Sequence, residues 1–405
     1  MTLTNIRSFL EFGYFLDYVN PDFQVDFSST DKAKYQDMPE EEMLDTGIRF
    51  WKEAMQEQYV SGEQHVVPLS GGLDSRAILA TLLESFEAKD IMTYTYGTPG
   101  TYDWDIGNDI ARRVGTNHHK LPLADYNYNT LALVDISKRI QRQTVLFHHG
   151  AIDYIDKVFS GAIIWSGAVI DVFFGRHNHK NLATNWNNAI LNSFTENQYV
   201  KSTSLTKGKY QEYIGLVDYD PAMKGILELE HVIDLMNRQT KFVAPHVLMK
   251  GMRHNNLLRD KLTAFACSIP NHHRKDQSFY KKMFLRSFPE LFSLPTKTSY
   301  GLPLNASATK LLFARAQNRI ARTFGLIADR NTNYMDFNEK IRSKDDLKHV
   351  IKSNVLDLKK RNIIDWIDVD QVLGNHLAKR GDHADALIVL ASLEIHFKSG
   401  LQLPE

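Results

Sequence analysis

The chain has 405 residues, 43% of them hydrophobic and 11% aromatic, enough to bury a large core in one big domain or two closely packed ones. Lysine plus arginine equals aspartate plus glutamate at 48 each, so no global positive field recruits nucleic acid, and RNA loses weight as a substrate. The single cysteine, Cys267, excludes an intrachain disulfide, a cysteine zinc cluster and a paired-sulfur relay. The longest apolar runs, such as Ala386 to Leu393, fall short of the roughly 20 residues of a membrane span. Met1-Thr2-Leu3-Thr4-Asn5 lacks a basic-then-apolar leader pattern, so a cytoplasmic location is expected.

In chain order, residues 1–60 read as an aromatic-rich, then acidic N-terminal extension. A helix starts at Pro39-Glu40-Glu41-Glu42, with Met43, Ile48, Trp51 and Met55 on its buried side. From His65 the pattern alternates. His65–Leu69 is a short apolar strand, and Ile78, Leu79, Leu82, Leu83 and Phe86 recur on one helix face. Ile91–Tyr96 reads as a second strand and Trp104–Val114 as a helix, with Ile106, Ile110 and Val114 four apart. His119–Leu123 reads as a third strand, 130–159 as a helical region, and Ala162–Trp165 as a buried strand ending in Ser166-Gly167. This order argues for a doubly wound α/β sheet over a core of 61–180, with ligands at the carboxyl ends of its strands. Beyond about residue 180 the strand signals fade. Leu227–Lys250, Leu257–Ser268 and Ala384–Phe397 read as helices, which makes 181–405 a helical part packed over the nucleotide layer, and the mixed-charge stretch Lys340–Lys360 reads as solvated surface.

Between the first strand and its helix stands Pro68-Leu69-Ser70-Gly71-Gly72-Leu73-Asp74-Ser75-Arg76. Such a junction leaves backbone N–H groups without intrachain partners at the positive end of a helix, which favours a bound anion. Gly71 and Gly72 let the backbone approach a phosphate, Ser70 and Ser75 add hydroxyl donors, and Asp74 suits a magnesium ion that would attract one. Ser-Gly-Gly alone is equally a plain turn, with Asp74-Ser75 an ordinary helix cap. The whole string in its strand–turn–helix setting resembles the PP-loop of N-type ATP pyrophosphatases, which cut ATP between its α and β phosphates. No lysine follows the glycines as it does in kinase-type loops.

Three more stretches narrow the resemblance. Tyr94–Asp103 followed by Val114–His119, then Ser166-Gly167-Ala168-Val169-Ile170-Asp171-Val172-Phe173-Phe174-Gly175, then Lys281–Arg286 with Leu294–Pro303, agree in order and spacing with the synthetase domain of asparagine synthetases. The resemblance covers roughly residues 40–398. It implies a PP-loop ATP pyrophosphatase fold with an additional largely helical C-terminal part, and ATP and Mg2+ as cofactors. It also implies that Ser70, Gly71, Gly72 and Ser75 hold the β and γ phosphates, and that Asp74 and Asp171 bring magnesium to them. Pro68, Tyr96, Ser166 and Gly167 match positions lining the adenosine pocket. Lys297 matches a lysine near the α-phosphate and, with Asp74, would be catalytic.

Two departures qualify this. The glutaminase domain with which full asparagine synthetases begin is not expected here, because Thr2 follows Met1 and only about 60 residues precede the loop. The nitrogen is then expected from free ammonia, an amine, or a separate glutaminase chain. Ala168 stands where asparagine synthetases have a glutamate and β-lactam synthetases a tyrosine, and a methyl group cannot abstract a proton. His148-His149, His177 with His179, and His272-His273 show no strong metal spacing and read as surface or packing residues. Arg176, His177 and His179 follow the second signature closely enough to face the acceptor pocket. The leading expectation is an ATP-dependent carbon–nitrogen ligase that adenylates a small-molecule or peptide carboxylate and passes the acyl group to ammonia or an amine, with no membrane or nucleic-acid partner. The alternatives are a PP-loop tRNA-modifying ligase or thiolase, and a catalytically impaired nucleotide-binding subunit.

Overall fold

The computed structural model describes residues 2–149, 151–176, 182–206, 210–218, 227–323 and 330–402, with the backbone alone for 321–323. Five parallel strands, β1 (His65–Pro68), β2 (Met92–Gly97), β3 (Asn117–Pro122), β4 (Ile163–Ser166) and β5 (Arg253–Asn256), lie in the order β3-β2-β1-β4-β5. Val66 of β1 stands opposite Met92 on one side and Ile164 on the other. The helices up to the second signature are α1 (Leu3–Phe12), α2 (Glu40–Gln56), α3 (Asp74–Leu82), α4 (Tyr102–Val114), α5 (Thr130–Arg139), α6 (Ile152–Val158) and the single turn α7 (Ile170–Phe173). From β1 the chain steps outward through β2 to β3, then returns by α5 and α6 to β4 on the other flank of β1. The strand order reverses between β1 and β4, and there the carboxyl ends open a crevice.

Alternation along β1 divides the core in two. Val66 packs with Ile6 and Phe9 of α1, with α5 and α6, and with the C-terminal helices. Val67 faces the opposite layer, built from Trp51 and Met55 of α2, from α3 and α4, and from the helices Asp260–Ser268 and Ser278–Ser287. The doubly wound α/β fold read from the sequence is the fold the chain adopts, including its helical C-terminal part. Among the described residues no helix is long and apolar enough to cross a membrane.

Four local readings differ. β5 went unseen because Arg-His-Asn-Asn carries no apolar alternation; it joins the sheet through backbone pairing with β4 and keeps its side chains partly exposed. The expected helical region 130–159 is broken between α5 and α6. There Gln141 and Arg142 take left-handed backbone (φ 56° and 58°), and Val145, Leu146 and Phe147 are fully buried in a non-helical segment bridged to Tyr14. The stretch 227–250 widens into a π-helix over Asp234–Val243, ahead of Pro245, whose ring would crowd a tighter turn. Lys340–Lys360 is not simply solvated surface: it runs through the helix Asp345–Lys360, whose Leu347, Val350, Ile351, Val355 and Leu358 are buried.

That helix packs on Ala384–Lys398, which is buried on every side from Ala386 to Phe397 and so forms the centre of the helical layer. Two histidines here are held neutral. His396, fully buried, donates from Nε2 to the carbonyl of Thr144 (2.9 Å) while Nδ1 meets the Ser137 hydroxyl (2.7 Å). Nδ1 of His376, also fully buried, accepts the backbone N–H of His383 (3.0 Å). Burial pushes their pKa values down from 6.5 to about 3 and about 4. A base whose folded-state pKa is depressed binds more protons unfolded than folded, so its contribution is intact above about pH 6.5 and is lost as the pH falls toward the folded value. Each such histidine changes stability by up to about 1.4 kcal/mol per pH unit in that window. Urea unfolding is therefore expected to give a smaller free energy at about pH 4.5 than at about pH 7, with the slope reduced in His396→Gln; a pH-independent midpoint would contradict the assignment.

Candidate active site at the β1–β4 crevice

The loop after β1 and the loop after β4 meet across the crevice, and glycines permit it. A Cβ on Gly167 would lie 2.4 Å from that of Asp74, and one on Gly71 would lie 2.8 Å from the carbonyl oxygen of Tyr102. Ser70 folds the first loop on itself: its hydroxyl accepts the N–H of Gly72 (3.2 Å) and sits 3.3 Å from the hydroxyl of Ser75. The N–H of Gly71 is held by Asp103 Oδ1 (3.1 Å), so a carboxylate already occupies one of the loop's anion-seeking donors.

Lys297 enters the same place from the far end of the chain. Its backbone N–H donates to the carbonyl of Gly71 (2.9 Å) and its Nζ to Asp103 Oδ2 (2.5 Å). The short hairpin Pro295–Thr296 with Leu302–Pro303 carries it, and Thr296 caps the turn by accepting the N–H of Ser299 (3.2 Å). The hairpin is anchored by Arg76, a fully buried residue of α3. Its guanidinium donates to the carbonyls of Leu291 (3.0 Å), Leu294 (3.1 Å) and Pro295 (2.6 Å) and lies over the ring of Phe292. Burial lowers its pKa to about 10, which leaves it charged at neutral pH.

Asp171 on α7 is buried and takes Arg176 Nη1 on Oδ2 at 2.5 Å. Asp74 accepts the hydroxyl of the buried Tyr280 on Oδ1 (2.6 Å). Burial and then the negative charge of Asp171 push the Asp74 carboxyl well above the usual carboxylate range, against the lowering effects of the Tyr280 hydrogen bond and the Arg176 charge. Burial and Asp74 raise Tyr280 in turn, so its hydroxyl keeps its proton. Two neighbouring carboxylates, Asp74 and Asp171, with serine hydroxyls nearby, form a hard-oxygen donor set that suits magnesium.

Pro68 ends β1 and Tyr96 stands near the end of β2. The backbone carbonyl of Tyr96 accepts Asn333 Nδ2 (2.8 Å), and the Asn333 carbonyl takes the N–H of Thr98 (3.1 Å). Gly97 has no side chain because Asn333 Oδ1 would lie 2.0 Å from its Cβ. The Ser166 hydroxyl accepts the N–H of Ala168 (3.1 Å), which bends the chain at Gly167. The eleven residues read from the sequence thus fall on strand ends, loops and the first turns of α3 and α7, with Lys297 brought in by its hairpin.

Sequence reasoning missed Arg76, Asp103, Tyr280 and Asn333 as members. An arginine amid the apolar helix face Ala77-Ile78-Leu79 was a readable signal for Arg76, whereas Asn333 gave none. Of the histidines, His148 reaches the Tyr199 hydroxyl (2.5 Å) and meets the Tyr334 ring edge-on, and His273 pairs with Glu40 (3.2 Å), while His177 and His179 lie outside the described residues. A cavity of about 580 Å³ between α4 and the outer strand β3, lined by Trp104, Asn108, Arg112 and Lys120 among others, shares no residue with the crevice.

The family model for asparagine synthase matches residues 51–138, from within α2 through the Ser70–Ser75 loop to α5. That stretch is similar to a family of ATP-dependent amide ligases. No curated protein matches the chain. Asp171, Arg176, Tyr280 and Lys297 lie beyond the matched stretch and join the site through the fold.

Replacing Arg76 with Met keeps the aliphatic stem and removes the donor from three carbonyls, of which that of Leu291 still accepts the N–H of Leu294 (3.3 Å). The other two cost about 1–3 kcal/mol each when buried, so the variant is expected to lose at least about 2 kcal/mol in urea unfolding. A loss below about 0.5 kcal/mol would mean the hairpin is anchored elsewhere.

Proposed function

We propose that the chain is an ATP-dependent carbon–nitrogen ligase that adenylates a carboxylate and transfers the acyl group to ammonia or an amine. The observation that carries this reading is the convergence of the Ser70–Ser75 loop, Asp171 and Lys297 on one crevice of a chain whose residues 51–138 match the asparagine synthase model. In the first step an oxygen of the substrate carboxylate attacks the α-phosphorus, and the bond to the bridging oxygen of the β-phosphate breaks. The products are an acyl-adenylate and pyrophosphate. In the second step the amine attacks the acyl carbon, the bond to the AMP oxygen breaks, and the amine gives up a proton.

The residues divide this work. The N–H groups of Gly71 and Gly72 with the hydroxyls of Ser70 and Ser75 cradle the β and γ phosphates, and the phosphate displaces the Asp103 carboxylate from Gly71. Lys297, held by Asp103, faces charge that moves toward the leaving pyrophosphate. Asp74 and Asp171 would hold a magnesium ion, which supplies further neutralisation of that charge. Pro68, Tyr96, Ser166 and Gly167 line the adenosine side. Ala168 has no proton-accepting group, so the amine's proton leaves to another base. A cytoplasmic setting and a separate source of ammonia belong to the same proposal.

Incubation with magnesium-ATP and pooled carboxylates and amines is expected to release AMP and pyrophosphate in equal amounts, and ADP in their place would refute adenylation. Asp74→Asn and Lys297→Ala are each expected to slow AMP release at least about a hundredfold. Because burial and the charge of Asp171 both penalise an anion at Asp74, Asp74→Asn should also unfold at a higher temperature than the parent when no ligand is present. A lower unfolding temperature would show that the pair is not strained.

A further inference from the structure

Three carboxylates face the crevice, and two cations rest on them. Lys297 on Asp103 and Arg176 on Asp171 make contacts of the same length, 2.5 Å, and are built alike. In each, the carboxylate is the more buried partner, 13% and 8% exposed, and the cation the more open one, 28% and 51% exposed. A fixed anion holding a solvent-reaching cation is a parking position: the cation can leave without uncovering its own burial cost.

The placement of Arg176 is enforced by the backbone. After the single turn α7 its N–H returns to the carbonyl of Asp171 (3.2 Å), across Gly175 at φ 88°. A Cβ on Gly175 would lie 2.3 Å from the carbonyl oxygen of Arg274, and the buried Arg274 guanidinium clamps the carbonyl of Phe173 (2.7 and 3.1 Å). The side chain is thereby returned over Asp171. The charge of Asp171, with further contributions from Asp74 and Asp103, keeps its guanidinium firmly protonated.

We propose that Arg176 is a second phosphate-binding cation of this site, resting on Asp171 when the crevice is empty and passing to the pyrophosphate group when a divalent cation takes Asp171. The proposal rests on the adenylation reading and extends it. A dication and a guanidinium cannot share the same carboxylate oxygen without strong repulsion, so one displaces the other. A freed guanidinium matches two phosphate oxygens at once, which an ammonium group does not. The surrounding loop offers Arg176 no competing acid, since positions 168 and 172 carry Ala and Val.

Titration calorimetry on the full chain separates the parts, using Mn2+ alone and inorganic pyrophosphate added to Mn2+-saturated protein. Arg176→Ala is expected to bind Mn2+ about tenfold more tightly, because its rival for Asp171 is gone, and pyrophosphate at saturating Mn2+ about tenfold more weakly; Arg176→Lys should fall between for pyrophosphate. A purely structural role would weaken both ligands together or change neither, and either pattern overturns the proposal. Parent protein that fails to bind pyrophosphate at all would sink the adenylation reading along with it, whereas parent-like pyrophosphate binding by Arg176→Ala removes Arg176 alone.

Discussion

The close approach of Asp74 to Gly167 is the constraint on which the site depends. With no Cβ at 167, the start of α3 lies directly against the loop that follows β4, and Asp74 and Asp171 come into one poorly solvated field. That arrangement costs stability, because two carboxylates there repel and neither is well hydrated. It persists because the parallel sheet fixes the ends of β1 and β4 side by side, at the one place where helices leave in opposite directions. The strain in Asp74 is therefore a property of the fold's switch point, and any cation that enters is drawn by it.

The chain's positive groups fall into two kinds around this point. Arg76 and Arg274 are buried and bind backbone carbonyls, so their charge serves to fasten loops: Arg76 fastens the Lys297 hairpin to α3, and Arg274 fastens the turn at Gly175. Lys297 and Arg176 are partly open and bind carboxylates, so their charge remains available to a ligand. Asn333 performs the fastening without charge, joining the segment beyond 330 to the end of β2 through its backbone and its amide. Buried fasteners behind partly open cations fit the proposal of a site that holds phosphate in line yet releases pyrophosphate.

What the sequence revealed and what it hid follow from the range of the interactions. The Ser70–Arg76 loop was legible because a strand, a glycine turn and a helix start are local events, written in adjacent residues. The outer strand β5 was not, since its four polar residues gain their place from pairing with β4 and from contacts with the distant Gln58 and Glu63. Asp103 stood inside a recognised stretch, yet its role depends on contacts with Gly71 and Lys297, 32 and 194 residues away. The break at Gln141–Arg142 was hidden for the opposite reason: apolar residues that read as helix are buried in irregular chain, where tertiary packing outweighs propensity.

The acceptor half of the site differs from the phosphate half in a way the backbone records. Val169 is held at φ 71°, a left-handed conformation that is costly for a β-branched residue, by about 1–3 kcal/mol, and its side chain is buried in the core. A glycine would take that conformation at no such cost, so it is the packing of the Val169 side chain in the core that holds the turn. Beside it Ala168 is half-buried and Val172 buried, and neither carries a polar group. The loop thus sets Gly167 against Asp74 and Asp171 beneath Arg176, while the side chains between 167 and 171 are apolar. A backbone held in a costly conformation by buried apolar side chains, with no acid at position 168, fits the proposal that this turn serves phosphate binding and that the amine is not steered by a carboxylate there.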